Sequence, residues 1–216
     1  MSAIKVQDPV FEKVISLMPP LNLETGPWIV GGAVRKLYQN STWTGGDVDV
    51  FFRDDHQRRE WTRRLLERND DKLEDSGDLE DLFAVYTPPR KPQIIMTYDT
   101  DNAETWTLTV KHQETYHDVK IQLIKARMAP NLQAIWDGFD FTVCQFATDG
   151  SSIVATSEAT QDLSANQLVV VDPKNSRCLP LRILKYYTYG FQVNDQLILW
   201  AAEQIKNGAI EWEDQY

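Results

Sequence analysis

The feature that most limits what this chain can fold into is a strand–turn–helix unit followed by a second strand. Trp28-Ile29-Val30 is a short apolar run that ends on Gly31-Gly32, and Ala33 to Tyr38 has helical character. Glycine lets the backbone turn without a Cβ clash and approach a ligand closely. A helix that starts there presents unpaired N–H groups and the positive end of its dipole, which suits a phosphate. Arg35, one turn into the helix, is placed to contact phosphate or to pair with a carboxylate. Taken alone, a Gly-Gly after a strand also fits a plain turn. The further glycines of a Walker loop or a Rossmann fingerprint are missing.

The second strand is read over Asp47-Val48-Asp49-Val50-Phe51-Phe52, entered through a Gly45-Gly46 turn. Alternate side chains of a strand face the same way, so Asp47 and Asp49 share one face while Val48, Val50 and Phe52 pack into the core. Two neighbouring carboxylates repel, and a divalent cation relieves the repulsion while adding oxygen ligands. Magnesium (Mg2+) suits such a pair because it takes few protein carboxylates and fills its shell with water and phosphate oxygens. An acidic chain also contains Asp-x-Asp by accident. Asp99-Thr100-Asp101 has the same spacing but lies among Tyr98, Asn102 and Glu104, which read as a solvated hairpin turn. Context, rather than spacing, separates the two pairs.

Around this unit the chain reads as an α/β (α+β) protein. A helix over 8–18 is capped by Asp8, with Pro9 in its first turn, and a basic amphipathic helix covers about 55–68. An acidic segment leads to Leu82–Tyr86, and Pro88, Pro89 and Pro92 interrupt regular structure. Gln93–Tyr98, Trp106–His112 and Val119–Ile124 read as strands, the last two joined through Gln113–Tyr116. A polar linker is expected over about 148–166, then helices over 179–191 and 195–206. The division is a head over 1–150 and a linker with a helical region over 151–216.

Composition removes several classes. The 216 residues carry a formal charge of −10, where a nucleic-acid-wrapping protein usually shows a basic face. The basic stretch Arg58–Arg68 therefore reads more readily as a solvated helix balanced by the acids that follow. Cys144 and Cys178, the only cysteines, are too far apart in sequence to suggest a zinc site, and His56, His112 and His117 are scattered. No run of about 18 apolar residues marks a membrane span. A soluble, cytoplasmic protein is expected.

Trp28-Ile-Val-Gly-Gly-Ala-Val-Arg35 followed by Gly46-Asp-Val-Asp-Val50 resembles the polymerase-β-type nucleotidyltransferase superfamily. The Gly-Gly-x-Val-Arg form is most similar to the head and neck of class II CCA-adding enzymes and bacterial poly(A) polymerases. Asp140-Phe-Thr-Val-Cys144 resembles that family's Arg-Arg-Asp-Phe-Thr-x-Asn-Ala segment. Pro180-Leu-Arg-Ile-Leu184 with Tyr189-Gly-Phe191 resembles its first neck helix. The resemblance implies a twisted mixed sheet bearing the carboxylates and a small helical neck. It implies transfer of a nucleoside monophosphate from a nucleoside triphosphate to a hydroxyl, with pyrophosphate released. Asp47 and Asp49 would be the catalytic and metal-binding residues, while Gly31, Gly32, Arg35 and Arg182 would bind the nucleotide. Two metal ions would assist.

The chain also departs from that pattern. Lys36 follows Arg35 where the family commonly has Asp, and Gly138-Phe139 replace the paired arginines. Cys144 stands for the Asn, and Cys178-Leu179 replace a Glu-Asp pair, so that only Arg182 of that signature remains. Selection of C and A by an Asp/Arg pair is not expected, nor is a tRNA-holding body. A third acid is not assigned: Asp118 precedes the strand, Glu114 sits in the adjoining turn, Gln122 holds the central position, and Asp140 fits a role in organising the fold. The expected acceptor is an RNA 3′ end, a small molecule or a protein hydroxyl. A catalytically weakened nucleotide- or RNA-binding module on the same fold is the alternative. An interaction protein with a structural Gly turn and Asp pair is a third reading.

Overall fold

A computed structural model describes residues 4–40, 43, 46–70, 94–173 and 178–208. The readings over 71–93, including Leu82–Tyr86 and its flanking prolines, and the Gly45 half of the Gly-Gly turn lie outside those residues.

Asp8 caps the first helix, α1 (Pro9–Leu17), its carboxylate accepting the Phe11 N–H. The next two elements are strand β2 (Trp28–Val30) and helix α2 (Gly32–Asn40), after a short edge strand β1 (Ile4–Lys5) that precedes α1. Strand β3 (Val48–Phe51) and helix α3 (Asp55–Asp70) follow. Strands β4 (Ile94–Asp99), β5 (Ala103–His112) and β6 (Thr115–Ile124) form a meander, and Asp99-Thr100-Asp101 lies at its first turn as expected. Helix α4 (Leu132–Asp137) and a 3-10 turn (Thr142–Cys144) lead to the hairpin of β7 (Phe146–Thr148) and β8 (Ser152–Ala155). Helices α5 (Ser157–Ser164), α6 (Leu179–Thr188) and α7 (Asp195–Lys206) complete the described chain.

The strands form one mixed sheet in the order β1-β8-β7-β2-β3-β6-β5-β4. Among the named pairs only β3 and β6 run parallel, with Val48 opposite Ile121, Asp49 opposite Gln122 and Val50 opposite Leu123. A parallel pair needs a crossover. Here α3 begins it, and β4 and β5 are laid down before β6 returns beside β3.

Alternation along the strands sorts the side chains between two cores. Ile29, Val48, Val50, Ile121 and Leu123 join Phe11, Val34, Leu37, Trp61 and Leu65 in the larger one. Trp28, Val30, Phe51 and Ile124 project the other way, against Ile135 and Trp136 of α4. Each fully buried side chain of this size contributes roughly 1.5–3 kcal/mol. The larger core also takes in Leu179, Ile183, Tyr186 and Ala201, so α6 and α7 pack on the sheet domain through a common interior.

Two expectations are corrected. The stretch 148–166 is no polar linker but holds β8 and α5, with Ala159 and Leu163 buried one turn apart. Thr156 caps α5 by accepting the Ala159 N–H, and the division at residue 150 falls in the turn between two paired strands. Strand β3 begins at Val48, leaving Asp47 just before it.

Candidate functional site: paired carboxylates at a helix start

The geometry of the β2–α2 junction depends on two glycines with different tasks. Gly31 has φ +102°, in the region that L side chains rarely adopt. Its carbonyl accepts the Arg35 N–H at 3.0 Å, which makes Gly31 the residue that begins α2. Its own N–H is already given to Phe146 O of β7 at 2.9 Å. The amides without an intrahelical carbonyl partner are those of the first helical turn, Gly32, Ala33 and Val34. A Cβ on Gly31 would lie 3.7 Å from Asp49 Oδ2, while one on Gly32 would meet nothing within 4 Å. Gly31 thus sets the turn against the carboxylate, and Gly32 leaves open space beside it.

Asp49 on β3 and Asp47 just before it take the face that Val48, Val50 and Phe52, committed to the opposite core, leave free. Burial raises the Asp49 pKa to about 7, and the negative charge of Asp47 adds to the shift. The positive charges of Arg182 and Lys185 on α6 oppose it. On the neighbouring strand Gln122 faces Asp49 in register and is only 3% exposed. Its Nε2 donates a long hydrogen bond of 3.5 Å to Asp47 Oδ2. A neutral carboxamide thus occupies the strand position beside the pair where a third carboxylate was sought.

Among the described residues no group of three or more His, Cys, Asp or Glu converges. Any cation here would rest on two protein carboxylates, which is the donor set Mg2+ accepts with water or phosphate oxygens completing its shell.

The other expected site residues lie at different distances from this centre. Arg182 pairs with Asp140, Nε and Nη2 donating to its two carboxylate oxygens, the latter at 3.2 Å. Its charge still reaches Asp49. Asp140 is 4% exposed and acts as the anchor of α6. Arg35 is buried on the opposite side of α2 from solvent, with its guanidinium 5.0 Å from the Tyr186 ring centre and 5.2 Å from that of Phe191. Its Nε and Nη1 have no hydrogen-bond partner among the described residues. Tyr186 in turn places its hydroxyl 3.0 Å from Cys144 Sγ, and burial raises both of their pKa values. Asp118 is exposed and accepts from Thr109 Oγ1 at 2.7 Å.

Lys185 is the site cation that sequence reasoning missed. Its signal was its spacing: it lies three residues after Arg182 on a helix, so both fall on one face. Lys36 also comes near, since a Cβ on Gly46 would lie 3.5 Å from its Nζ.

Fold and site together define a mixed α/β protein whose sheet carries a carboxylate pair against a glycine-led helix start, with cations on a neighbouring helix. Residues 5–166 match the family model described as Gabija anti-defense 2 family protein (Gad2), and the chain belongs to that family. No curated protein matches the chain. No helix among the described residues is long and apolar enough to cross a membrane.

Proposed function

We propose that the chain is a Mg2+-dependent nucleotidyltransferase of the polymerase-β type, which counters the Gabija system by moving a nucleoside monophosphate from a nucleoside triphosphate to a hydroxyl. One observation carries this reading: Asp49 lies against Gly31, whose carbonyl accepts the first hydrogen bond of α2, so the start of that helix stands beside the Asp47/Asp49 pair. A phosphate at that helix start and a metal on the pair would be adjacent, as phosphoryl chemistry requires.

In this mechanism Asp47 and Asp49 would hold Mg2+, which when bound offsets phosphate charge and polarises the reacting oxygens. The first-turn amides of α2 orient the triphosphate, and the positive helix end favours its negative charge. Lys185 and Arg182 lie where negative charge accumulates near Asp49 and stabilise it there. Gln122 keeps the Asp47 carboxylate in place through its carboxamide.

Incubation with each α-labelled nucleoside triphosphate, Mg2+ and candidate acceptors tests the proposal. Wild-type protein should transfer label, and Asp47→Asn or Asp49→Asn should reduce transfer at least a hundredfold. Transfer that persists at the wild-type rate in both variants removes the assignment. A second reading, a nucleotide-binding module with weakened chemistry, is favoured by Gln122 beside the pair and by the engagement of Arg182 with Asp140. Calorimetry separates them: tight Mg2+–nucleotide binding without turnover on any acceptor supports the module.

A further inference from the structure

We infer that the acceptor is a protein, docked across the sheet face that carries the carboxylates, and that the group modified is a side-chain hydroxyl. The inference rests on the transferase reading above and adds the class of substrate that the same site takes.

Strand register draws that face residue by residue. Asp49 stands opposite Gln122, Gln122 opposite Thr105, and Thr105 opposite Tyr98. Partners in register project from the same side of a sheet. The row therefore runs from the carboxylates to the edge strand β4, over about 15 Å at roughly 4.8 Å per strand, with Gln122 and Thr105 buried along it, so a docked segment crosses the face on the more open row beside it. The next row out brings Lys120, Thr107 and Ile95 into line. At its rim this face presents Tyr98 at 67% and Ile95 at 53% exposure, which are large apolar groups with no cost to uncover. Tyrosine in particular serves as an anchor in protein–protein contacts.

Charge decides between a protein and a nucleic acid. An RNA or DNA end brings a polyanionic backbone, whose binding depends on cations free to meet phosphate. The chain carries a net charge of −10. The arginines of its concentrated basic stretch from 58 to 64 are paired internally: Arg58 with Asp55 and Glu104, Arg59 with Asp55, and Arg63 and Arg64 with Glu60. Arg53 is paired with Asp54. On the sheet face itself Asp47, Asp49 and Asp118 stand among threonines with Lys120 and with Lys111, which is paired to Glu114, while Arg182 and Lys185 offset Asp49. Such a mixed surface suits a protein segment better than a polyanionic backbone, which needs a run of free cations. The partner it fits is a protein of the system that the family opposes, offering Ser, Thr or Tyr.

In the transfer, the acceptor hydroxyl oxygen forms a bond to the α-phosphorus. The bond from the α-phosphorus to the α–β bridging oxygen breaks, pyrophosphate leaves with the electron pair, and the hydroxyl proton passes to water. No oxidant or further reactant is needed.

The test offers α-labelled nucleoside triphosphates and Mg2+ together with the purified proteins of the Gabija system, or with total tRNA. Label should appear on a protein, survive ribonuclease, and vanish with Asp49→Asn. The double variant Ile95→Ser/Tyr98→Ala should lower acceptor kcat/KM at least tenfold while Mg2+–nucleotide affinity, read by calorimetry, stays within twofold. Should that variant fold poorly, Thr107→Arg, which places a bulky cation midway across the face, should give the same split. Label on tRNA overturns the protein acceptor and leaves the transferase standing. Bound nucleotide with no label on any of these proteins overturns the inference as well. Absence of nucleotide binding overturns both.

Discussion

Asp49 is a carboxyl that the fold stabilises in its neutral form. Its pKa is raised from the ordinary 3.8 to about 7, chiefly by burial. The folded state therefore binds a proton more tightly than the unfolded chain. Its contribution to stability is greatest below about pH 4 and is lost as pH rises through 7. Asp49→Asn should accordingly stabilise the metal-free protein at pH 8 by on the order of 2 kcal/mol, the full shift being discounted for partial exposure, and should have little effect at pH 4. Urea unfolding at the two pH values measures this, and equal effects at both would contradict it. The two glycines should separate in the same way. Gly31→Ala strains a backbone at φ +102° and should cost about 1–2 kcal/mol. Gly32→Ala meets nothing within 4 Å and should fold normally while weakening nucleotide binding about tenfold, because its Cβ takes space a phosphate needs.

At the scale of elements, α6 depends on one ion pair. Asp140, nearly fully buried, accepts from two nitrogens of Arg182, and the pair ties α6 to the segment entering the 3-10 turn. Asp140→Asn should lower the urea midpoint by an amount equivalent to about 2 kcal/mol, below the range for wholly buried pairs because Arg182 is partly exposed. Elements with strong local signals were legible in the sequence. Asp8 and Pro9 announced α1, the β-branched run announced β3, and α7 starts and ends where its capping Asn194 and terminal Lys206 place it. Those missed had weak ones. Strand β7 has three residues, all buried, and so no alternation to read. Helix α5 is largely polar and contributes only Ala159 and Leu163 to the core. The Asp47/Asp49 pair and its glycine turn were readable because they are local. The roles of Arg35, Asp140, Gln122 and Lys185 were not, since each is set by residues distant in the chain. Arg35 in particular has the position of a phosphate ligand in sequence, and in space its guanidinium lies over the adjoining rings of Tyr186 and Phe191.

For the whole molecule, the distribution of charge matters more than its sum. Arg58, Arg59, Arg63 and Arg64 of α3 lie within reach of its own acids, so their field cancels over a few ångströms. Glu60, held between Arg63 and Arg64, has its pKa lowered to about 2, and this pairing persists throughout the physiological range. Electrophoretic shift of a single-stranded RNA should therefore show no retention at 50 mM salt, where a basic groove would bind most strongly. Retention that falls steeply with salt would locate a cationic surface elsewhere.

The interior shared by the sheet and α6 has a consequence for how the site would be filled. Asp49 on β3 and the cations of α6 belong to one packed body, with the Arg35 guanidinium against the Tyr186 and Phe191 rings. Among the described residues the two halves share one core, so the constellation stands ready before any ligand arrives. Crystals of the free protein should accept a soaked triphosphate without cracking, and the backbones with and without it should superpose.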